Sequence, residues 1–421
     1  LGLCARTSGA TTRALERNEM TAPLAGIKVV EIANYVAVPA AATLLVDLGA
    51  DVVKVEVPWG DFYRFATPRR NGYDTDFPLS SNYEMDNRGK RSLALDLALP
   101  QSVEALAKVI DGADILVTNT LPGRLAKYGL DSDSLLEDHP ELIIARLGGF
   151  SSEGEQADEP GFDQTSFWAL SGMMDQQRDP ASPPAFFRPG VGDHCAALAM
   201  TTGILAALRT RDQTGRGQIV DVNLQQVGFY IGGNDSCQAL ATGKPPPRHD
   251  RLAPRNPLWN HYRTSDDRWI LLVMIDSTIY WPTFAKAIGR SDLVEDVRFK
   301  DPKERFKYTR ELVEQLDETF AQRTFEEWKQ TLEGEKIIWA PARTVLEAVN
   351  DPKSHANGCF STIKHPEHGD FKTVAPPFRL SGHDMHGTLP APSLNAHTRE
   401  VLTESGLDPE KVELLVSVGE Q

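Results

Sequence analysis

Asp163 lies in PGFDQTSFWALSGMM (160–174), between a Gly-Phe pair and an apolar, helix-like run that Ser171-Gly172 interrupts. Two roles fit this setting. As an N-cap it would satisfy the free amides of the helix that follows, and Asp is among the best residues for that task. As a carboxylate kept ionised by a helix N-terminus it can also attack an activated acyl group such as a thioester.

Three cations, Arg88, Lys90 and Arg91, gather in NRGKRS (87–92), within a chain of formal net charge -15. Either they form a solvated charge run, or they hold a phosphate or pyrophosphate. GDFYR (60–64) offers Arg64 at another strand-end loop, so the two clusters can converge on one anion. Asp193 opens a small-residue helix and reads as its N-cap, with His194 beside it. His249 and His261 flank a turn-rich stretch, and His365, His368, His383 and His386 lie in C-terminal loops without metal-ligand spacing. Walker A, HExxH, GxSxG and CxxC motifs are missing, and RPGVG (188–192) lacks the strand context of a dinucleotide fingerprint. No nicotinamide, flavin or metal is therefore expected.

These residues need a scaffold. From Ile27 the pattern runs IKVVEI, a helix ending at Gly49, then VVKVEV, and the same logic recurs with SLALDL, a helix after Pro100, and ADILVTN. ELIIARLGG and IVDVNL add further buried-type strands, the latter after a long helix from about Asp193 to Arg209. Such alternation predicts an α/β fold with a parallel sheet, whose ligands bind beyond the carboxyl ends of the strands. TGKPPPRHDRLAPRNP (242–257) reads as a linker by composition, and WNHYRT and WILLVM beyond it as a hairpin in a smaller α+β domain.

A length of 421 residues exceeds what one hydrophobic core usually supports, which predicts two domains. The acidic balance argues against a nucleic-acid or anionic-membrane partner, and no apolar run approaches the roughly 18 to 20 residues of a membrane span. Cys4, Cys195, Cys237 and Cys359 are far apart, fitting neither a zinc site nor a disulfide framework, so a reducing, cytoplasmic setting is expected. Residues 1–19, LGLCARTSGATTRALERNE, read as a disordered N-terminal extension rather than an organelle-targeting peptide.

Taken in order, PLAGIKVVEIA, LLVDLGADVVKVEVPWGD, NRGKRSLALDL, GFDQTSFWALSGMM, GILAALRTRDQTGRGQIVDVNL, NPLWNHYRTSDDRWI and AHTREVL resemble the family III CoA-transferases, a group that includes formyl-CoA transferase and carnitine CoA-transferase. The resemblance covers nearly everything after Met20. It implies a Rossmann-like large domain from 20–225 and 340–421, a linker region at 226–257, a small α+β domain at 258–339, and an interlocked homodimer. It implies an acyl-CoA donor, with coenzyme A as substrate thioester, and a carboxylic-acid acceptor. Asp163 matches the family's nucleophile in Gly-Tyr/Phe-Asp, and the CoA phosphates are expected along Arg64, Asn87, Lys90 and Arg91. Tyr35, Val36, Phe167 and Trp168 are expected to line the substrate pocket, and the amides of Ser171-Gly172 or of RPGVG to hold the oxyanion. Leu121 stands where many members carry Arg, Val36 where formyl-CoA transferases carry Gln, and Asn34 where they carry His, which favours an acid larger or more apolar than oxalate. The α-methylacyl-CoA racemases of the same fold read Gly-His-Asp at this motif, and Phe162 sets this chain apart from them.

Overall fold

The computed structural model describes residues 22–385 and 387–419; the expected extension 1–19 and His386 lie outside the described residues. The chain forms two compact units, one made of the residues up to Phe167, Pro189–Val227 and Gly358 onward, the other of Trp168–Arg188 and Gly228–Asn357.

In the first unit the Val- and Ile-rich segments pair as six parallel strands: β1 (Lys28–Ile32), β2 (Asp51–Glu56), β3 (Arg91–Ala94), β4 (Ile115–Thr118), β5 (Ile143–Gly148) and β6 (Ile219–Asn223). Their order is β3-β2-β1-β4-β5-β6, the arrangement of dinucleotide-binding sheets. The strand order reverses between β1 and β4, the switch point beyond whose carboxyl ends sheets of this kind bind ligands. Asn119 after β4 clasps the backbone of Asn34 after β1 with its side-chain amide, Oδ1 accepting the Asn34 N–H at 3.2 Å and Nδ2 donating to the Asn34 carbonyl at 2.7 Å.

The helix Ala37–Asp47 is built almost wholly of small and aliphatic residues and is buried along nearly its entire length. Small side chains let it pack closely on the helix Val191–Thr214, which also covers β5 and β6. That second helix starts at Gly190 (φ 98°) and stops at Gly215 (φ 70°), both in the left-handed region that glycine enters without a steric penalty. At 24 residues it is long and apolar enough to cross a membrane, contrary to the sequence expectation. Its Ala, Thr and Gly content spreads the apolar character over many residues, and Ala196, Ala197, Met200 and Ile204 are packed inside the unit.

The second unit has an antiparallel sheet of β7 (Trp259–Arg263), β8 (Trp269–Val273) and β9 (Trp339–Pro341). Helices lie over it around a core including Tyr262, Trp281, Phe284, Phe320 and Trp328. Pairing of β9 with β8 draws residues 340–357 into this unit, whereas the sequence reading placed them in the large domain. The first unit is completed by the hairpin β10 (Phe360–His365) and β11 (Gly369–Val374) and by two C-terminal helices, Thr398–Glu404 and Pro409–Gly419.

Candidate active site

Asp163 opens a π-helical turn, Asp163–Ala169, and is only 2% exposed. Its carboxylate does not cap that turn. Oδ2 accepts the Gly190 amide at 2.5 Å and Oδ1 the Gly192 amide at 3.1 Å, so the side chain caps the helix Val191–Thr214 instead. Locally the entry is closed by Thr165, whose hydroxyl oxygen accepts the Phe162 N–H at 3.0 Å. Gly192 must be glycine, because a methyl there would overlap both Asp163 Oδ1 and the Phe167 ring.

Burial pushes the Asp163 pKa above the ordinary carboxylate value, while the amides of Gly190, Gly192 and Val191 and the nearby His194 pull the other way. The result is a carboxylate stripped of most of its water but supplied with directed donors at an aligned helix end. Such a group is more nucleophilic than a hydrated one.

Asp193 is not the N-cap that the sequence suggested; that position is Gly190, and Asp193 falls within the first turn. Burial, then repulsion from Asp163, pushes its pKa up to about 7, with Asp86 adding to the rise and His194 opposing it. His194, which the sequence reading left without a role, bonds the Gly190 carbonyl through Nδ1 at 2.7 Å and Asp86 through Nε2 at 3.1 Å. Its signal was present in RPGVGDH: a histidine four residues after a helix-starting glycine faces that glycine's carbonyl.

The four residues expected along the CoA phosphates all have partners within the chain. Arg64 makes a two-point pair with Glu56 at 2.7 and 2.6 Å and donates to the Pro392 carbonyl at 2.8 Å, with its guanidinium over the Tyr83 ring. Asn87 is fully buried, giving its amide to the Tyr83 carbonyl and accepting from Lys90. Lys90 is buried as well, held by the Pro39 and Asp86 carbonyls at 2.9 Å and by Glu31 at 2.7 Å. Burial lowers its pKa to about 8 despite Glu31.

Arg91 reaches back to Asp51, the first residue of β2, and to Glu400 and Glu404, at the amino end of the sheet. Ligands bind at the other end. Arg88 pairs with the buried Asp47. Each of these cations pairs with carboxylates or carbonyls of the chain.

Of the four expected pocket residues, Tyr35 alone is exposed at the site. It sits at φ 67°, 46% exposed, its N–H 3.3 Å from Asp61 Oδ1 and its ring edge-on to that of Phe162 at 6.1 Å. Phe162 itself is 58% exposed, a ring beside Tyr35 that the sequence reading did not place among the pocket residues. Val36 and Phe167 are buried. Trp168 belongs to the second unit and stacks on Phe187 with ring centroids 3.9 Å apart. Successive residues of a helical turn point in different directions, and a run of aromatics therefore cannot all face one ligand. Ser171-Gly172 also falls in the second unit, and the RPGVG amides face the carboxylate of Asp163 itself.

The geometry can be set beside known proteins. The family described as CoA-transferase family III matches residues 24–398. The (R)-2-hydroxy-4-methylpentanoate CoA-transferase of Clostridioides difficile is 31% identical over 92% of this chain and 97% of its own. The cinnamoyl-CoA:phenyllactate CoA-transferase of Clostridium sporogenes is 30% identical over 93% and 95% of the two chains. Among solved structures, a CaiB/BaiF family protein from Brucella suis superposes with a TM-score of 0.81 at 28% identity, covering 92% of this chain and 100% of that one. With the sheet order and the capped Asp163 in place, these matches establish that the chain belongs to CoA-transferase family III and is an enzyme of that class.

Proposed function

We infer that this enzyme moves CoA from an acyl-CoA thioester to a free carboxylic acid through covalent intermediates on Asp163. One Asp163 oxygen attacks the donor thioester carbonyl, the C–S bond breaks, and a mixed anhydride and CoA thiolate result. The thiolate then attacks Cγ of Asp163, breaking the anhydride to release the donor carboxylate and leave an aspartyl-CoA thioester. The acceptor carboxylate attacks this thioester, and the expelled thiolate then attacks the acceptor's acyl carbon, restoring the Asp163 carboxylate. Every step exchanges one activated acyl group for another of similar energy, which is the benefit of nucleophilic catalysis.

The observation that carries this reading is the pair of bonds from the Gly190 and Gly192 amides to Asp163. When thiolate attacks Cγ, the oxyanion forms on Asp163's own oxygen. The amide bonded to that non-bridging oxygen then serves as an oxyanion donor, worth about 3 kcal/mol when aligned. The exposed rings of Tyr35 and Phe162 favour an apolar acceptor acid. Two relatives are named for acids of that kind, a branched 2-hydroxy acid and phenyllactate.

Incubation with an acyl-CoA donor followed by borohydride or hydroxylamine should reduce or convert Asp163 alone, as read by peptide mass spectrometry. Adding a branched or aromatic 2-hydroxy acid before quenching should discharge the adduct faster than oxalate does. Modification at another carboxylate would overturn the assignment.

A further inference from the structure

Asn34, the second residue after β1, is exposed, yet both peptide groups that flank it are held by side chains. On its amino side the Ala33 carbonyl accepts from Lys54 Nζ at 3.0 Å, and the Asn34 N–H donates to Asn119 Oδ1 at 3.2 Å. On its carboxyl side the Asn34 carbonyl accepts from Asn119 Nδ2 at 2.7 Å, and the Tyr35 N–H donates to Asp61 Oδ1 at 3.3 Å. Lys54 and Asp61 are themselves wholly buried and 3.1 Å apart. The loop is thus gripped from the β2 side of β1 and from the β4 side at once.

Water can satisfy the backbone of an exposed loop, so this full set of side-chain partners fixes direction rather than meeting a bare hydrogen-bonding need. It also holds Tyr35 at φ 67°. All four bonds are made by backbone atoms of the loop, and any residue but proline at position 34 would allow them. The Asn34 carboxamide takes no part in them, and among the described residues it has no partner. It stands at the switch point of the sheet, next in sequence to Tyr35, whose ring meets that of Phe162.

A carboxamide offers both a donor and an acceptor. A carboxylate or a thioester carbonyl only accepts and would leave Asn34 Oδ1 unused, whereas a hydroxyl engages both ends. Asn34 and Tyr35 are consecutive, which calls for a hydroxyl where the polar end of the acid meets its hydrocarbon, on the carbon beside the carboxyl group. We propose that Asn34 is a specificity-determining residue that hydrogen-bonds the hydroxyl of a 2-hydroxy acid acceptor, whose hydrocarbon lies against the rings of Tyr35 and Phe162. This rests on the apolar-acceptor reading above and does not depend on which carboxylate carries the acyl group. Because the loop is fixed before the acid arrives, little ordering entropy is lost on binding, and the carboxamide favours one hydroxyl direction and hence one enantiomer. Asn119, which takes both backbone groups of Asn34, is then a positioning residue.

The test offers phenyllactate and phenylpropanoate, which differ by that hydroxyl, as an equal mixture with cinnamoyl-CoA, butyryl-CoA or succinyl-CoA as donor. The ratio of the product thioesters, read by chromatography, is the ratio of kcat/KM for the acids. The parent enzyme should favour phenyllactate by about tenfold or more, and one of its enantiomers over the other. Asn34→Ala should bring the ratio to within about twofold of unity and erase the enantiomer preference. Asn119→Ala should lower the ratio part of the way, which a merely structural role would not do, because loss of folded enzyme reduces both products alike. An undiminished preference in Asn34→Ala, or a parent that treats the two acids alike, overturns the role of Asn34 and leaves the apolar-acceptor reading standing. Transfer to neither acid from any of these donors overturns that reading and this role together.

Discussion

At Asp163 stability and reactivity pull in opposite directions. A carboxylate whose folded-state pKa lies above its unfolded value weakens the fold as pH rises past both, because the unfolded chain ionises more readily. Burial makes Asp163 such a group. Asp163→Asn keeps the shape and one acceptor while removing the charge. Its melting temperature near neutral pH should therefore equal or exceed the parent's, while CoA transfer falls by at least about a thousandfold. A loss of several degrees in a thermal shift assay would show instead that the carboxylate is a net stabiliser, as a plain helix cap is. Asp163 was singled out in the sequence because its motif is distinctive. Its donors were not, since they lie 27 and 29 residues further along, and local spacing speaks only about a residue's own helix.

The strands were the most readable elements, because a parallel sheet covered on both faces needs runs rich in Val, Ile and Leu, and β1, β2, β4 and β5 supply them. The charges set inside those runs carried no such pattern. Lys54 of β2 is wholly buried, 2.7 Å from Glu31 of β1 and 3.1 Å from Asp61. Burial works against its charge, yet Glu31, Asp61 and Glu56 hold its pKa above the ordinary lysine value. Lys90, Glu56 and Arg64 extend the same network, which explains why cations that looked available in the sequence are spoken for in the fold. Lys54→Met leaves buried Asp61 without this cation and Glu31 with Lys90 alone, and should cost about 3 to 5 kcal/mol, measured by urea unfolding. A change below about 1 kcal/mol would show that water or a neighbouring cation reaches them.

At the level of the whole molecule, the sequence revealed a two-part plan and a break in composition at 242–257. It did not reveal that β9, only three residues long, returns to the small sheet, because so short a strand has no period to read. Within the second unit Trp328 is buried against Phe320, and its indole N–H donates to the Phe320 carbonyl at 2.9 Å. Trp328→Ala should destabilise that unit by about 3 to 5 kcal/mol, with faster hydrogen exchange in 228–357 and unaltered exchange in β1 to β6. Loss of protection throughout would mean that both units unfold as one. Tyr35 offers a different lesson about the molecule as an object of selection. A bulky residue at φ 67° costs about 1 kcal/mol or more, which glycine or asparagine would recover at a stroke. A library screened for heat resistance alone will therefore drift away from tyrosine at this position, and the contact proposed between this ring and the acceptor acid will go with it.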